Sequence, residues 1–489
     1  MVTDTINRPR SRFAALFVVG LIVLSFALQF STAGLASVDG YFHARYAQIV
    51  WNGGLRHYPP AFPWLPLTIR SADRYFDHHM LFHVLLAPFV VGDAARGAKW
   101  ASVFFGSVAF VAVYVVLQRR GIRRPEWWLL AMFALAPDFL SRMEMPRVQA
   151  VSLVWLLLVL ETLIARRYLW LLPLAVGYTW LYDAFPFLLA MSGLFAVAIL
   201  VIERRLEWRA VLYPTVGIVF GLVINPYFPN DVWFIVQHYL GKAEIDEAIR
   251  VGTEWYPYPL AQWLGWPGAL AIAGIVAALV WREWRRLNVT KLALLLIGTF
   301  FFALAWRSRR FVEYGAPFVL FALASTQHEW VDRYLVQLTR RRRIACATVL
   351  LVGLLVSIGF AAHQMRKPPP PERYRGGATW LAQHTPADAI VFTADWTDFP
   401  LLFFYDQRNR YVIGLDPTYL ARRDADLFRL WHQLGRGELR PPSAYLSRFD
   451  SDVVFSDRGH ADFIRALDDD PGMTRAYEDD DCVIFTRRQ

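Results

Sequence analysis

Much of the chain is apolar at nearly every position, in long stretches separated by short polar segments dense in arginine. Residues 13–35, for example, carry no charged side chain. Such runs show neither the period-2 alternation of a half-buried strand nor the single apolar stripe of a surface helix. At 1.5 Å rise per residue, roughly 20 residues cross a hydrocarbon core. Spans are predicted at approximately 13–35, 97–118, 126–140, 149–165, 168–182, 186–202, 210–225, 262–281, 290–306, 311–327 and 344–363, about eleven helices in all. A segment in lipid must satisfy its own backbone hydrogen bonds, and a helix does so alone. The fold class expected is a polytopic α-helical membrane protein.

The basic clusters test this reading. They fall at Arg8/Arg10/Arg12, Arg119/Arg120/Arg123/Arg124, Arg166/Arg167, Arg204/Arg205/Arg209, Arg282/Arg285/Arg286/Lys291 and Arg340 to Arg343. Each interval between successive clusters holds two predicted spans, so every cluster lies on one face, which the positive-inside rule makes cytoplasmic. The N-terminus is then inside and the C-terminus outside. No small-residue cleavage site follows the first run, so it is expected to stay as a helix.

Composition agrees: of 489 residues, 56% are hydrophobic and only 19% charged. The net charge of +10 would suit nucleic acid, but its confinement to one face assigns it to a membrane surface. Two cysteines, Cys346 and Cys482, offer neither a disulfide framework nor metal-ligand spacing. With no organelle-targeting segment evident, a multi-pass bacterial cytoplasmic membrane is the expected location.

After the last span, Lys367 and Pro368 to Pro371 form a stiff spacer. It divides a membrane part, 1–365, from a more charged part, 366–489. Ala389–Thr393, Tyr411–Gly414, Val453–Ser456 and Cys482–Thr486 have strand character; Thr379–His384, Phe399–Tyr405, Ala425–Leu434 and Ala461–Leu467 have helix character. A small extracytoplasmic α/β domain is predicted.

Candidate chemistry collects in the outer loops. The first, about 36–96, is too long for a connection alone. It carries Asp39, His43 and Arg45, a segment from Tyr41 to Trp51 amphipathic enough to lie in the interface, and Asp77-His78-His79. Glu144 and Glu254 come from later outer loops. Hard divalent cations take oxygen ligands and bridge carboxylates to phosphate. Asp39, Glu144 and Glu254 are therefore candidate ligands for Mg²⁺ or Mn²⁺. His78 and His79 are either further ligands or interfacial hydrogen-bonding groups. Arg307, Arg309 and Arg310 break the charge rule by standing on the outer side. They either snorkel to headgroups or use their fork geometry to hold a lipid-linked phosphate.

At this point a resemblance becomes specific. Asp39-x-Tyr41-Phe42-x-x-Arg45, followed by Gly53-Gly54, resembles the first-loop motif of oligosaccharyltransferase catalytic subunits, which belong to the GT-C superfamily of membrane glycosyltransferases. Thr253-Glu254 is similar to that family's late-loop motif ending in Glu, and Asp395-Trp396-Thr397-Asp398-Phe399 resembles its Trp-Trp-Asp-Tyr-Gly motif. The resemblance implies a GT-C fold and a metal-dependent glycosyltransferase that takes a sugar from a polyprenyl-phosphate or pyrophosphate donor, with inversion. Asp39 would bind the metal and engage the acceptor, Glu144 would stand for the second-loop acidic motif, and Glu254 would clamp the acceptor. Trp396, Asp398 and Arg45 would contact it as well. The chain departs from the pattern at Met143-Glu144-Met145, which holds one acid where the family has two, and at Thr397 and Phe399-Pro400.

The acceptor stays open among protein, lipid and glycan. One alternative is a transferase using a polyprenyl-phosphate monosaccharide to modify a lipid or polysaccharide. An alternative of another class is a non-catalytic transporter of lipid-linked glycan.

Overall fold

The computed structural model describes residues 8–240, 252–259 and 287–488. The expected span at 262–281 and the basic positions 282–286 lie outside the described residues. Among the described residues, five helices are long and apolar enough to cross a membrane: Arg12–Gln29, Ala94–Arg119, Pro186–Glu203, Val289–Arg307 and Arg340–Met365. Gln149–Ile164, Tyr168–Leu181 and Arg209–Val223 are shorter apolar helical segments. The expected helix over 126–140 is broken: Pro125–Leu135 ends at Ala136, and Pro137–Met143 starts afresh with proline in its first turn. Proline has no N–H to donate and fixes φ, so it suits a helix start and not an interior. The chain is an integral membrane protein with a helical body and a small mixed β-sheet region near its C-terminus.

Contacts within the chain define two compact units. The first comprises residues 1–32, 99–221 and 253–367; the second comprises 33–98, 222–252 and 368–489. The first-loop segment thus shares a unit with the C-terminal region.

In the first unit, helices approach closely where side chains are small. A Cβ at Gly217 would lie 2.5 Å from the Leu172 carbonyl oxygen, and one at Gly221 would lie 3.1 Å from Val176 Cα. Four residues apart, these glycines share one helix face, the small-xxx-small arrangement that lets membrane helices touch through backbone. The Trp180 indole closes the contact by donating to the Gly221 carbonyl at 2.8 Å.

In the second unit, helix Asp39–Gly53 buries Tyr41, Phe42, His43, Ala44, Tyr46, Ala47, Gln48 and Val50. The expected interfacial helix is therefore a core helix. Its Tyr41 and Phe42 rings meet Phe404, Phe399 and Phe403 of helix Phe399–Tyr405. Strands β1 (Ile390–Thr393), β2 (Arg410–Tyr411), β3 (Val453–Asp457), β4 (Met473–Glu478) and β5 (Cys482–Arg487) form one sheet in the order β2-β1-β3-β5-β4. β1 runs parallel to both β2 and β3, while β5 is antiparallel to β3 and β4. Phe392, Trp431, Leu434, Phe449, Val454 and Phe485 are among the residues that fill the core on one face. Because the chain runs from β1 to β2 on one side and then from β2 to β3 on the other side of β1, the C-terminal ends of β1 and β3 form a topological switch point.

Candidate functional site

Two constellations of polar side chains stand out, one in each unit. The first surrounds Glu254, on the short 3-10 turn Thr253–Trp255. Both Nη atoms of Arg142 donate to Glu254 Oε2 at 3.2 Å. Arg147 donates to Oε2 at 3.3 Å and to Oε1 at 3.4 Å. Arg310 Nη1 lies 3.4 Å from Oε1. One carboxylate thus faces three guanidinium groups. Burial alone would raise the Glu254 carboxyl, but Arg147, Arg142 and Arg310 together hold it well below the usual carboxylate range.

The arginines are themselves fixed. Arg142 Nε donates to Glu313 Oε2 at 2.9 Å, and Arg310 Nη2 donates to the Tyr182 hydroxyl at 2.7 Å. The Arg310 guanidinium also lies over the Trp255 ring, 4.6 Å from its centroid. Ser308 Oγ donates to the Glu254 carbonyl at 2.9 Å, and the Arg309 N–H to the Tyr256 carbonyl at 3.2 Å, tying the turn's backbone in place. Arg309 Nε donates to the Pro257 carbonyl at 3.2 Å, whereas Arg307 is exposed at its helix end. Of the three arginines singled out from sequence, Arg310 alone reaches Glu254 among these contacts. Arg142 and Arg147 were missed as site residues. Their signal was present, because they too are arginines on the expected outer side.

Glu144 is elsewhere in this unit's bonding. Its Oε2 accepts from Gln29 Nε2 at 3.0 Å, its backbone carbonyl accepts from the same amide, and buried Oε1 has no hydrogen-bond partner.

In the second unit, Asp39 lies in the first turn of helix Asp39–Gly53, and His43 follows one turn later on the same face. His43 Nδ1 is 2.8 Å from His83 Nε2, and His83 Nδ1 is 2.6 Å from Asp77 Oδ2, all three side chains being buried. His79 takes part through its backbone N–H, which donates to Asp77 Oδ1 at 3.0 Å. His78 Nδ1 accepts from Arg70 Nη1 at 2.7 Å, an arginine sandwiched among the Tyr75, Phe62, Phe234 and Tyr419 rings. Arg45 donates from Nε to the Phe404 carbonyl at 2.7 Å and lies over that ring.

Trp396 and Asp398 form a 3-10 turn after β1, at the switch point. Asp395 caps it by accepting from the Thr397 N–H at 2.8 Å. Asp398 Oδ1 accepts from the Tyr374 hydroxyl at 2.8 Å, while buried Oδ2 has no hydrogen-bond partner. Burial pushes the Asp398 carboxyl well up, and the nearby Asp395 and Asp457 push further. Trp396 packs against the sheet's core.

Among the described residues, no group of three or more His, Cys, Asp or Glu side chains is arranged to hold a metal ion. Glu254 in particular has three cationic neighbours, which oppose a divalent ion.

No protein-family model matches the sequence, and no curated protein matches it. Solved structures do. AglB, the oligosaccharyltransferase of Archaeoglobus fulgidus, in complex with an inhibitory peptide and a dolichol-phosphate, superposes with a TM-score of 0.62 at 12% identity, covering 92% of this chain and 70% of that one. The oligosaccharyltransferase from the same organism in complex with Zn and sulfate gives a TM-score of 0.58 at 12% identity, with 90% and 68% covered. ArnT of Cupriavidus metallidurans bound to undecaprenyl phosphate gives 0.58 at 16% identity, with 97% and 98% covered. Over most of its length this chain has the fold of the GT-C membrane glycosyltransferases, as archaeal AglB and ArnT do.

Proposed function

We propose that the protein is a glycosyltransferase that moves a sugar from a polyprenyl-phosphate or pyrophosphate donor to an acceptor at the outer membrane face. The observation that carries this reading is the seat of three arginines around Glu254. Lipid bilayers offer few anions that repay burying three guanidinium groups, and phosphate matches their forked geometry. Likeness to structures holding dolichol-phosphate and undecaprenyl phosphate supports the same ligand class.

In the proposed reaction the acceptor's nucleophilic atom attacks the anomeric carbon from the side opposite the phosphate. The C–O bond to phosphate breaks, its electron pair stays on the phosphate, and the configuration inverts. Arg142, Arg147 and Arg310 stabilise the negative charge that develops there, where fixed donors in a poorly solvated site act most strongly. Asp39, by its motif, engages the acceptor and takes its proton. Trp396, Asp398 and Arg45 are proposed acceptor-side residues on the same resemblance; Arg45 also anchors helix Phe399–Tyr405. Glu144, His78 and His79 retain their proposed metal role only if a cation recruits them.

Metal dependence, with Mg²⁺ or Mn²⁺, belongs to the proposal through Asp39. No chemical step is assigned to a metal, because the described residues do not assemble a centre on their own. Chelation with EDTA followed by Mn²⁺ addition tests that part separately.

The test of the whole is release of polyprenyl phosphate from a radiolabelled polyprenyl-phosphate sugar by the purified protein in liposomes. Release with transfer of label supports an enzyme. Movement of intact donor across the bilayer without release supports the transporter instead.

A further inference from the structure

The geometry points to Glu254 as an intramolecular stand-in for the donor phosphate, occupying the arginine seat until a lipid-linked phosphate displaces it. This rests on the phosphate reading of the seat given above, and it assigns Glu254 a further role in controlling access to that seat.

Three features carry it. The first is fit. All five contacts between the carboxylate and the arginines measure 3.2–3.4 Å. Charge-assisted N–H···O bonds close to about 2.7–2.9 Å when geometry allows. Two carboxylate oxygens under-fill a seat whose donors come from three directions. A tetrahedral phosphate, with more oxygens, suits it better.

The second is charge. A phosphodiester donor carries one negative charge, as the Glu254 carboxylate does, so exchanging one for the other leaves the net charge of the seat unchanged. When its sugar–oxygen bond breaks, the phosphate gains a second negative charge beside Arg142, Arg147 and Arg310. The seat therefore favours the departing phosphate over the intact donor, the discrimination catalysis requires.

The third is freedom to leave. The backbone of the turn is held by Ser308 Oγ and by the Arg309 N–H. The Glu254 side chain retains 21% exposure, against 9% for Arg142 and 13% each for Arg147 and Arg310. On this reading the carboxylate leaves by rotation about its own bonds, while Arg142 keeps its tether to Glu313 and Arg310 its tether to Tyr182.

The test is binding of undecaprenyl phosphate and, in parallel, of inorganic phosphate, to the full-length protein in detergent. An internal competitor lowers apparent affinity by the fraction of time the seat is free, so a seat filled nine-tenths of the time predicts about tenfold tighter binding by Glu254→Gln. Tightening for both ligands shows that the seat reads phosphate itself; tightening for the lipid alone shows that the chain must enter with it. Glu254→Asp keeps the charge for folding but shortens the reach, and it should fall between Gln and wild type. A ligand-bound structure of the wild type should show the Glu254 carboxylate withdrawn from Arg142 and Arg147. Unchanged or weaker binding by Glu254→Gln, or a carboxylate still seated beside bound lipid, overturns the stand-in. The phosphate seat itself survives that result if Arg147→Ala abolishes wild-type binding, and it fails if Arg147→Ala binds normally.

Discussion

Arg142 holds two carboxylates at once, Glu254 Oε2 through both Nη atoms at 3.2 Å and Glu313 Oε2 through Nε at 2.9 Å. A planar fork can face two acceptors; a lysine ammonium on its flexible stem cannot reproduce both contacts. Arg142→Lys should therefore leave Glu313, fully buried, poorly compensated. Breaking a buried pair from one side costs about 3–5 kcal/mol. The expected outcome is a marked fall in thermal stability in detergent, with loss of undecaprenyl phosphate binding. Normal unfolding temperature and normal binding would count against the bridge.

Tyr182 offers a milder perturbation of the same seat. Its hydroxyl accepts from Arg310 Nη2 at 2.7 Å. Tyr182→Phe removes that acceptor and keeps the ring, at about 1.5–3 kcal/mol for a hydrogen bond to a charged group. Donor affinity should weaken roughly ten- to a hundredfold through a loosened Arg310. The readout is the donor KM, since kcat should change less.

The switch-point carboxylates predict a pH dependence of the sheet. His460 Nδ1 lies 2.5 Å from Asp457 Oδ1, and this hydrogen bond raises the imidazole above its ordinary range despite burial. Burial would raise Asp457, but the His460 hydrogen bond and charge, with Arg373, hold it below. A raised His460 stabilises fully below its unfolded value of about 6.5 and loses that contribution as pH climbs through the folded one. Depressed Asp457 contributes above its unfolded value of about 4 and loses it only in acid. Asp398, pushed well up by burial, folds most favourably when protonated and so also opposes alkaline pH. Hydrogen-exchange protection of β1 and β3 amides should therefore decline as pH rises above the unfolded histidine value of about 6.5, and His460→Gln should flatten that decline. An unaltered slope in the variant would rule out the pair as its source.

Helix contact in the membrane body is equally testable. A Cβ at Gly217 would stand 2.5 Å from the Leu172 oxygen and 2.7 Å from Ala175 Cβ, whereas one at Gly193 meets nothing within 4 Å. Gly217→Ala must separate two helices and should destabilise by about 1–3 kcal/mol. Gly193→Ala should be neutral or slightly stabilising, alanine being the better helix former. Equal effects at both positions would contradict the close approach.

The sequence was most legible where pattern alone decides structure. Helix Phe399–Tyr405 matches its expected bounds, and β1, β3 and β5 begin and end within a residue or so of theirs. Strand β4 was missed because it is an edge strand with Thr474, Arg475 and Glu478 exposed, so it lacks the apolar alternation that marks a buried one. β2 proved to be two residues long; the Val412 N–H still donates to the Val391 carbonyl at 3.2 Å, and Val412 and Ile413 pass into the core. The break at Ala136 was written in Pro137 but hidden by unbroken hydrophobicity across 127–136. Acidic residues drew attention in the outer loops because metal chemistry needs them. The arginines of 141–147 drew less, although Arg142 and Arg147 surround Glu254. No local pattern connects residues more than 100 positions apart; only packing does.

The most direct test of the account follows radiolabelled sugar from a polyprenyl-phosphate donor in liposomes containing wild-type protein, Asp39→Ala or Arg310→Ala. The account predicts that wild type releases polyprenyl phosphate and passes label to an acceptor. Asp39→Ala should be inactive while keeping wild-type expression, unfolding temperature and undecaprenyl phosphate binding, whereas Arg310→Ala should lose donor binding and turnover together. Near-normal release by Asp39→Ala, or wild-type protein that binds the donor and never cleaves it, would contradict the central claim.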